Sequence, residues 1–283
     1  MIEAGIRISR TTLKSAAVGN VDAIVSSSCT GFMIPSVDAY IANELNLGPR
    51  LSRLPITESG CAGGAVALAR ASDFIHAHQG SAALVTAIEF SSLTFQARDF
   101  SATNLVAIAL FADGAGAAVL VGNGHPAASR AIAELVSTES YFLANSLGAM
   151  GYDVVESGLK LVLDKRLPES LRGRLRPMVL EFLDVNGVAF SDIGAFAIHP
   201  GGRKVLDVVE DEVVLSPAQM EPSRGVLREH GNMSSATIFF VLQRALRTLP
   251  SGQMALGIGF GPGFTIELSL WRRLAADMGS PSE

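Results

Sequence analysis

The run Ser81–Phe90, SAALVTAIEF, carries apolar side chains on both of its alternating faces, and this limits the fold more than any other feature. A strand of that composition has no solvent side and must lie between two covering layers. Helical patterns flank it, CAGGAVALARASDFIHAHQG before and NLVAIAL after. The alternation starts earlier, with a helix in MIEAGIRISRTTLKSAA and a strand in VDAIVSSSCTG. A helix in SVDAYIANELNLG, closed by Gly48, and a strand in SRLPITESG that runs into Cys61 come next. Strand–helix–strand order with such strands predicts a parallel-rich sheet covered on both faces.

The pattern breaks at GNGHPAASR, residues 122–130, and then begins again. IAELVSTES reads as a strand, and GYDVVESGLKLVLDKRLPESL as a hairpin leading into a helix start. LRPMVLEFLDVNG is helical, IGAFAIHPGG a strand ending in a histidine, and RKVLDVVEDEV and SSATIFFVLQRAL are helices. QMALGIGFGPGFTIELSLWR is a hairpin with a glycine turn. FADGAGAAVLVG and GFGPGFTIELSL end the two halves alike, which predicts two related α/β halves, residues 1–125 and 126–283. The final AADMGSPSE is expected to fray.

Composition narrows the function. With 48% hydrophobic and only 17% charged residues, much surface must be buried between layers or against another subunit, so a homo-oligomer is expected. A net charge of −5 with no basic run argues against nucleic acid as partner. The apolar run Leu105–Val121 is interrupted by Asp113 and by glycines, so it is not a membrane span. Cys29 and Cys61, far apart and outside any CxxC, read as free thiols of a cytoplasmic protein. No metal-ligand spacing occurs.

Three residues stand at junctions of strand, loop and helix: Cys61, His199 and Asn232. Open α/β folds bind ligands at such places. Cys61 in SGCAGGA opens a helix, whose unpaired amides favour a thiolate. With an imidazolium beside it, its pKa is expected in the range of roughly 3.5–7.5. Gly60, Gly63 and Gly64 would leave room for a thioester carbonyl. Taken singly, His199 in FAIHPGG reads as a core histidine and Asn232 in EHGNMSSA as a helix cap, with His230 on the loop surface. Taken together, Cys, His and Asn form a nucleophile, its proton partner and a neutral amide donor, a set suited to thioester carbonyls.

In these segments the sequence resembles type III polyketide synthases, the chalcone synthase-like branch of the thiolase superfamily. GCAGG looks like that family's nucleophile motif, IHPGG its histidine motif, GNMSSA its asparagine motif, and GFGPG its signature loop, Gly259, Phe260, Gly261, Pro262 and Gly263. The resemblance implies a thiolase-like α/β fold, two halves in a layered α-β-α-β-α arrangement with the first half incomplete. Family subunits carry a further N-terminal region with no counterpart here, bearing strands of the first half and basic residues that hold coenzyme A phosphates. Arg53, Arg203 and Lys204 could offer such contacts, though generic surface charge is the simpler reading. By the same resemblance Cys61 is the nucleophile and His199 and Asn232 its catalytic partners. Phe111 matches the gatekeeper phenylalanine, and Leu161 stands where plant members carry a second one, which suits a longer or aliphatic starter. Cys29 and Thr94 match cavity positions, and Ile34 the residue that crosses a dimer interface to wall the neighbour's cavity.

The implied reaction is iterative decarboxylative Claisen condensation of malonyl-CoA onto an acyl-CoA starter, in a homodimer without a cofactor. A ketoacyl-carrier-protein synthase III shares the three residue types, but generally shows a His followed by Gln-Ala-Asn and a GNTS motif. The HPGG, GNMSS and GFGPG forms favour the polyketide synthase. A catalytically silent partner subunit is the remaining alternative, and it would have no need of all three residues.

Overall fold

The computed structural model describes residues 1–275, so the AADMGSPSE expected to fray lies, but for its first residue, outside the described residues. The first half opens with helix α1 (Ile2–Ala16), strand β1 (Ala23–Ser27), helix α2 (Val37–Glu44) and strand β2 (Ser52–Ile56). A 3₁₀ turn, Gly60–Ala62, leads into α3 (Gly63–Ala77), followed by β3 (Ala82–Glu89), a 3₁₀ turn at Ser91–Thr94, α4 (Ala102–Leu110) and β4 (Gly114–Val121). Its sheet has the order β2-β1-β3-β4. β1 runs parallel to both β2 and β3, and β4 closes the sheet antiparallel to β3.

The second half comprises β5 (Ala133–Phe142), the hairpin strands β6 (Met150–Val155) and β7 (Gly158–Leu163), α5 (Leu175–Val185), β8 (Ile193–Ile198) and α6 (Arg203–Val213). α7 (Pro217–His230), α8 (Thr237–Thr248), β9 (Met254–Gly261) and β10 (Thr265–Arg273) complete it. The sheet order is β5-β10-β9-β8. Only β8 and β9 are parallel; β10 is antiparallel to β9 and to β5. The expectation of a parallel-rich sheet therefore holds for the first half and fails for the second. A tight turn joins β9 to β10, and β5 reaches β10 from far back in the chain.

β6 and β7 pair only with each other and form a separate two-stranded sheet. Sequence patterning gives no helix to residues 217–230, where α7 stands. Pro217 sits in its first turn, and Ser216 and Gln219 bond reciprocally across its start. Pro222 inside it removes one amide donor and hides the helical period. His230, expected on a loop, is the last residue of α7 and its ring leans on Phe240.

Three apolar cores set the layers. Leu13, Ile24, Ile41 and Leu84 join α1 and α2 to the outer face of the first sheet. Ala67, Ala71, Ile238, Leu242, Val85 and Ala197 fill the space between the two sheets, where α3 and α8 lie. Leu175, Phe182, Leu206, Met220 and Leu256 pack α5, α6 and α7 on the far face of the second sheet. The result is the layered α-β-α-β-α order expected. Gly64 makes the central layer possible, because a Cβ there would stand 2.1 Å from the Ser235 carbonyl oxygen.

Candidate active site

Strand β2 delivers the chain to Cys61, which lies in the 3₁₀ turn just ahead of α3 and is 8% exposed. The flanking glycines do not leave the room expected of them. A Cβ on Gly60 would meet Pro262 at 2.6 Å, and one on Gly63 would meet the Ser27 hydroxyl at 2.1 Å. Their role is close packing of the nucleophile turn against β1, the Ser235 turn and the Gly259–Gly263 loop. Gly261 completes that contact, since its Cβ would lie 2.6 Å from that of Ala62. Phe260, in the same loop, is buried and stacks with Phe264.

Asn232 reaches the same spot from the second half. A single parallel bridge pairs it with Phe111: the Asn232 N–H donates to the Leu110 carbonyl and the Ala112 N–H to the Asn232 carbonyl, each at 2.9 Å. The backbone on either side of Phe111, which caps the end of α4, thus holds the asparagine. Asn232 is no helix cap, because α8 begins only at Thr237. Its Oδ1 accepts from the Ser234 N–H at 2.9 Å and from Thr237 Oγ1 at 3.5 Å, and its side chain lies close enough to Cys61 to lower the thiol's pKa. The Ser234 hydroxyl donates to Cys61 Sγ at 3.5 Å and lies 3.2 Å from Cys29 Sγ. One hydroxyl therefore bridges both thiols.

His199 follows β8, with its backbone N–H on the Ile258 carbonyl at 2.8 Å. It is 1% exposed, and neither ring nitrogen has a hydrogen-bond partner. Burial lowers its pKa to about 4. Burial likewise pushes the Cys61 thiol up to about 11, with the Ser234 hydrogen bond pulling down, the Glu89 charge raising and the Asn232 hydrogen bond lowering. Burial thus opposes the ionised pair expected from the sequence. Desolvation disfavours both charges when each is taken alone.

Three residues that sequence reasoning missed complete the site. Glu89 ends β3 with no exposure and accepts from the Cys29 N–H, the Thr30 N–H at 3.1 Å, Thr30 Oγ1 at 2.6 Å and the Ser235 hydroxyl. Burial holds its carboxyl above the usual range despite these donors. A lone acid closing an apolar strand was the available signal. Ser234, at φ +49°, has no signal beyond its place after Asn232. Tyr152 in β6 lies near Thr94, Cys29, Cys61 and Glu89, and its pKa is pushed upward, chiefly by burial. It stands directly across the hairpin from Leu161, on the same face.

The remaining expectations divide. Thr94 donates to the Ser91 carbonyl at 2.9 Å beside this cluster. Ile34 is 85% exposed and belongs to the outer surface, next to exposed Phe32. Arg53 is taken by Asp38 at 2.6 Å, which leaves it poorly placed to hold a phosphate. Arg203 and Lys204 open α6, just after the loop that follows His199. Among the described residues no group of three or more His, Cys, Asp or Glu could hold a metal, and no helix is long and apolar enough to cross a membrane.

Known proteins share this fold. The family model for chalcone and stilbene synthases, N-terminal domain, matches residues 6–125, and that for the C-terminal domain matches residues 134–275. A 1,3,6,8-tetrahydroxynaphthalene synthase of Streptomyces coelicolor is 35% identical over 261 residues, covering 92% of this chain and 68% of the relative. A phloroglucinol synthase of Pseudomonas fluorescens is 35% identical over 258 residues, 89% of this chain and 72% of the relative. The crystal structure of the Streptomyces coelicolor enzyme, a bacterial type III polyketide synthase, superposes with a TM-score of 0.88 at 33% identity, over 96% of this chain and 77% of that one. A fungal type III polyketide synthase gives 0.86 at 31% identity, over 96% and 78%.

Proposed function

Because the chain belongs to the chalcone and stilbene synthase family, we propose that Cys61 holds the acyl chain while His199 and Asn232 serve the condensation. The chain is a type III polyketide synthase, which adds malonyl-CoA to an acyl-CoA starter by iterative decarboxylative Claisen condensation. One observation carries the assignment: His199 is buried at the end of β8 with two unpartnered ring nitrogens, in a chain whose buried Cys61 thiol takes a hydrogen bond from Ser234. Buried nitrogens without partners cost stability unless a ligand uses them.

The neutral resting pair sets the order of events. Starter binding brings an electrophilic carbonyl to Cys61, and the thiol proton passes to His199 as sulfur attacks. Coenzyme A leaves as its thiolate and takes that proton, so His199 is neutral again and the acyl group is on Cys61. Malonyl-CoA then sets its thioester oxygen between the His199 N–H and the Asn232 amide. Its carboxylate departs as carbon dioxide, and the electron pair left behind forms an enolate held by those two donors. Such donors are worth about 10²–10³ each in rate. A neutral imidazole suits this step, since an imidazolium would tend to quench the carbanion. The enolate carbon attacks the acyl carbonyl, a carbon–carbon bond forms, and the Cys61 thiolate is released for the next loading. No cofactor beyond the coenzyme A thioesters is called for.

Supporting a homodimer, β2 is an open sheet edge with exposed residues, and Phe32 and Ile34 stand exposed in the loop after β1. The two free thiols support a cytoplasmic setting. Intact-mass spectrometry after incubation with an acyl-CoA tests the central claim. An acyl adduct is expected on the wild type and none on Cys61→Ala; equal adduct on both would end the assignment.

A further inference from the structure

The β6–β7 hairpin carries Tyr152 toward the thiols with Leu161 directly across from it, yet no third strand pairs with it. Its tip is held by one side chain. The Gln96 amide nitrogen donates to the Ser157 carbonyl at 3.4 Å and the Leu159 carbonyl at 3.0 Å, and the Ser157 hydroxyl donates back to Gln96 Oε1. Every polar atom of the carboxamide is therefore spent on the hairpin. Gln96 is itself 7% exposed and cannot swing away to solvent at no cost.

Its own backbone is fixed in turn. Asn104, in the first turn of α4, donates to the Gln96 carbonyl at 2.9 Å and the Asp99 carbonyl at 2.6 Å. Asp99 lies 3.0 Å from Lys160 of β7, an outer ion pair beside the buried latch. The segment that holds the hairpin is also the one that places Thr94 against Tyr152.

We propose that Gln96 is a positioning residue for starter selection, fastening the β6–β7 hairpin so that the Tyr152–Leu161 pair forms one wall of the Cys61 cavity at a set depth. The proposal rests on the synthase reading above. Leu161 and Tyr152 are direct cross-strand neighbours on one face of the ribbon, so they move together. The depth of the cavity is then a property of where the ribbon sits as much as of either side chain. Loosening the latch lets the ribbon move outward and admits longer acyl groups.

The test is a chain-length series of acyl-CoAs from acetyl to octanoyl, run on the wild type, Gln96→Leu and Ser157→Ala. The second variant removes one latch bond from the exposed tip and leaves Gln96 in place. Gln96→Leu should raise the octanoyl-to-acetyl ratio of kcat/KM by about five- to tenfold, the scale of one or two neutral hydrogen bonds, and Ser157→Ala by less in the same direction. Acylation of Cys61 by the preferred starter should persist in both. An equal loss across all chain lengths, or an unmoved ratio in both variants, overturns the latch. Failure of the wild type to acylate overturns instead the function reading beneath it.

Discussion

The two halves of the chain bring unlike surroundings to one site. From the first half, Cys61, Cys29 and Glu89 arrive inside a hydrogen-bonded web closed by Ser234 and Ser235 of the second. From the second half, His199 arrives with no side-chain partner at all. The Cys61 side is saturated and the His199 side is vacant. A saturated web fixes geometry, whereas a vacant imidazole leaves its hydrogen bonds for a group that enters later. The difference teaches which side waits for substrate.

Removing the amide donor proposed for the enolate should cost most. Asn232→Ala is expected to keep acyl-Cys61 but lose malonyl decarboxylation by about 10²–10³-fold, read as labelled carbon dioxide release. Unchanged release would reduce Asn232 to a turn former. Next comes the state of charge. With a thiol at about 11, Cys61 is protonated near neutrality, and its thiolate fraction rises about tenfold per pH unit below that value. Alkylation by iodoacetamide should therefore climb by about 10² between pH 7 and 9, and His199→Ala should not move the curve. A plateau already reached at neutral pH, lost in His199→Ala, would show that the pair is ionised before substrate arrives.

Smaller effects address the web. Glu89→Gln turns one of its acceptor atoms into a donor and leaves a buried N–H or hydroxyl unmatched. A loss of about 1–3 kcal/mol in stability is expected, read as a lower urea midpoint. Burial raises the Glu89 pKa, so the folded state binds its proton more tightly, and stability from this group falls as pH rises through the raised value. Glu89→Gln should flatten that fall. Smallest of all, Leu161→Phe is expected to shift relative kcat/KM toward shorter acyl-CoAs by about threefold, less than one methylene is worth in a tight apolar pocket. An unchanged profile would free Leu161 of any gating role.

Much of this was legible in the sequence. Strands β1, β3, β8 and β9 announce themselves through local apolar runs, and Cys61, His199 and Asn232 through glycine-rich junctions. What escaped depends on partners distant in the chain. The antiparallel second sheet needs β5 beside β10, and nothing local states that pairing. The charge state of Cys61 depends on burial between the halves, which appears only when both cores close. α7 escaped for a local reason, because Pro222 breaks its pattern while Ser216 and Gln219 still start it. The glycines around Cys61 were visible, yet their purpose, contact with Ser27, Ser235 and Pro262, was not.

The solitary ribbon of β6 and β7 has a consequence for descent. Its ladder closes on itself, and side chains rather than a shared sheet moor it to the body. Replacements toward its tip, away from Met150 and Leu163 that pack on the second-half core, need not disturb that core or Cys61, His199 and Asn232. Lineages built on this plan can acquire new products by rewriting one short ribbon, while the inherited reaction goes on unaltered beneath it.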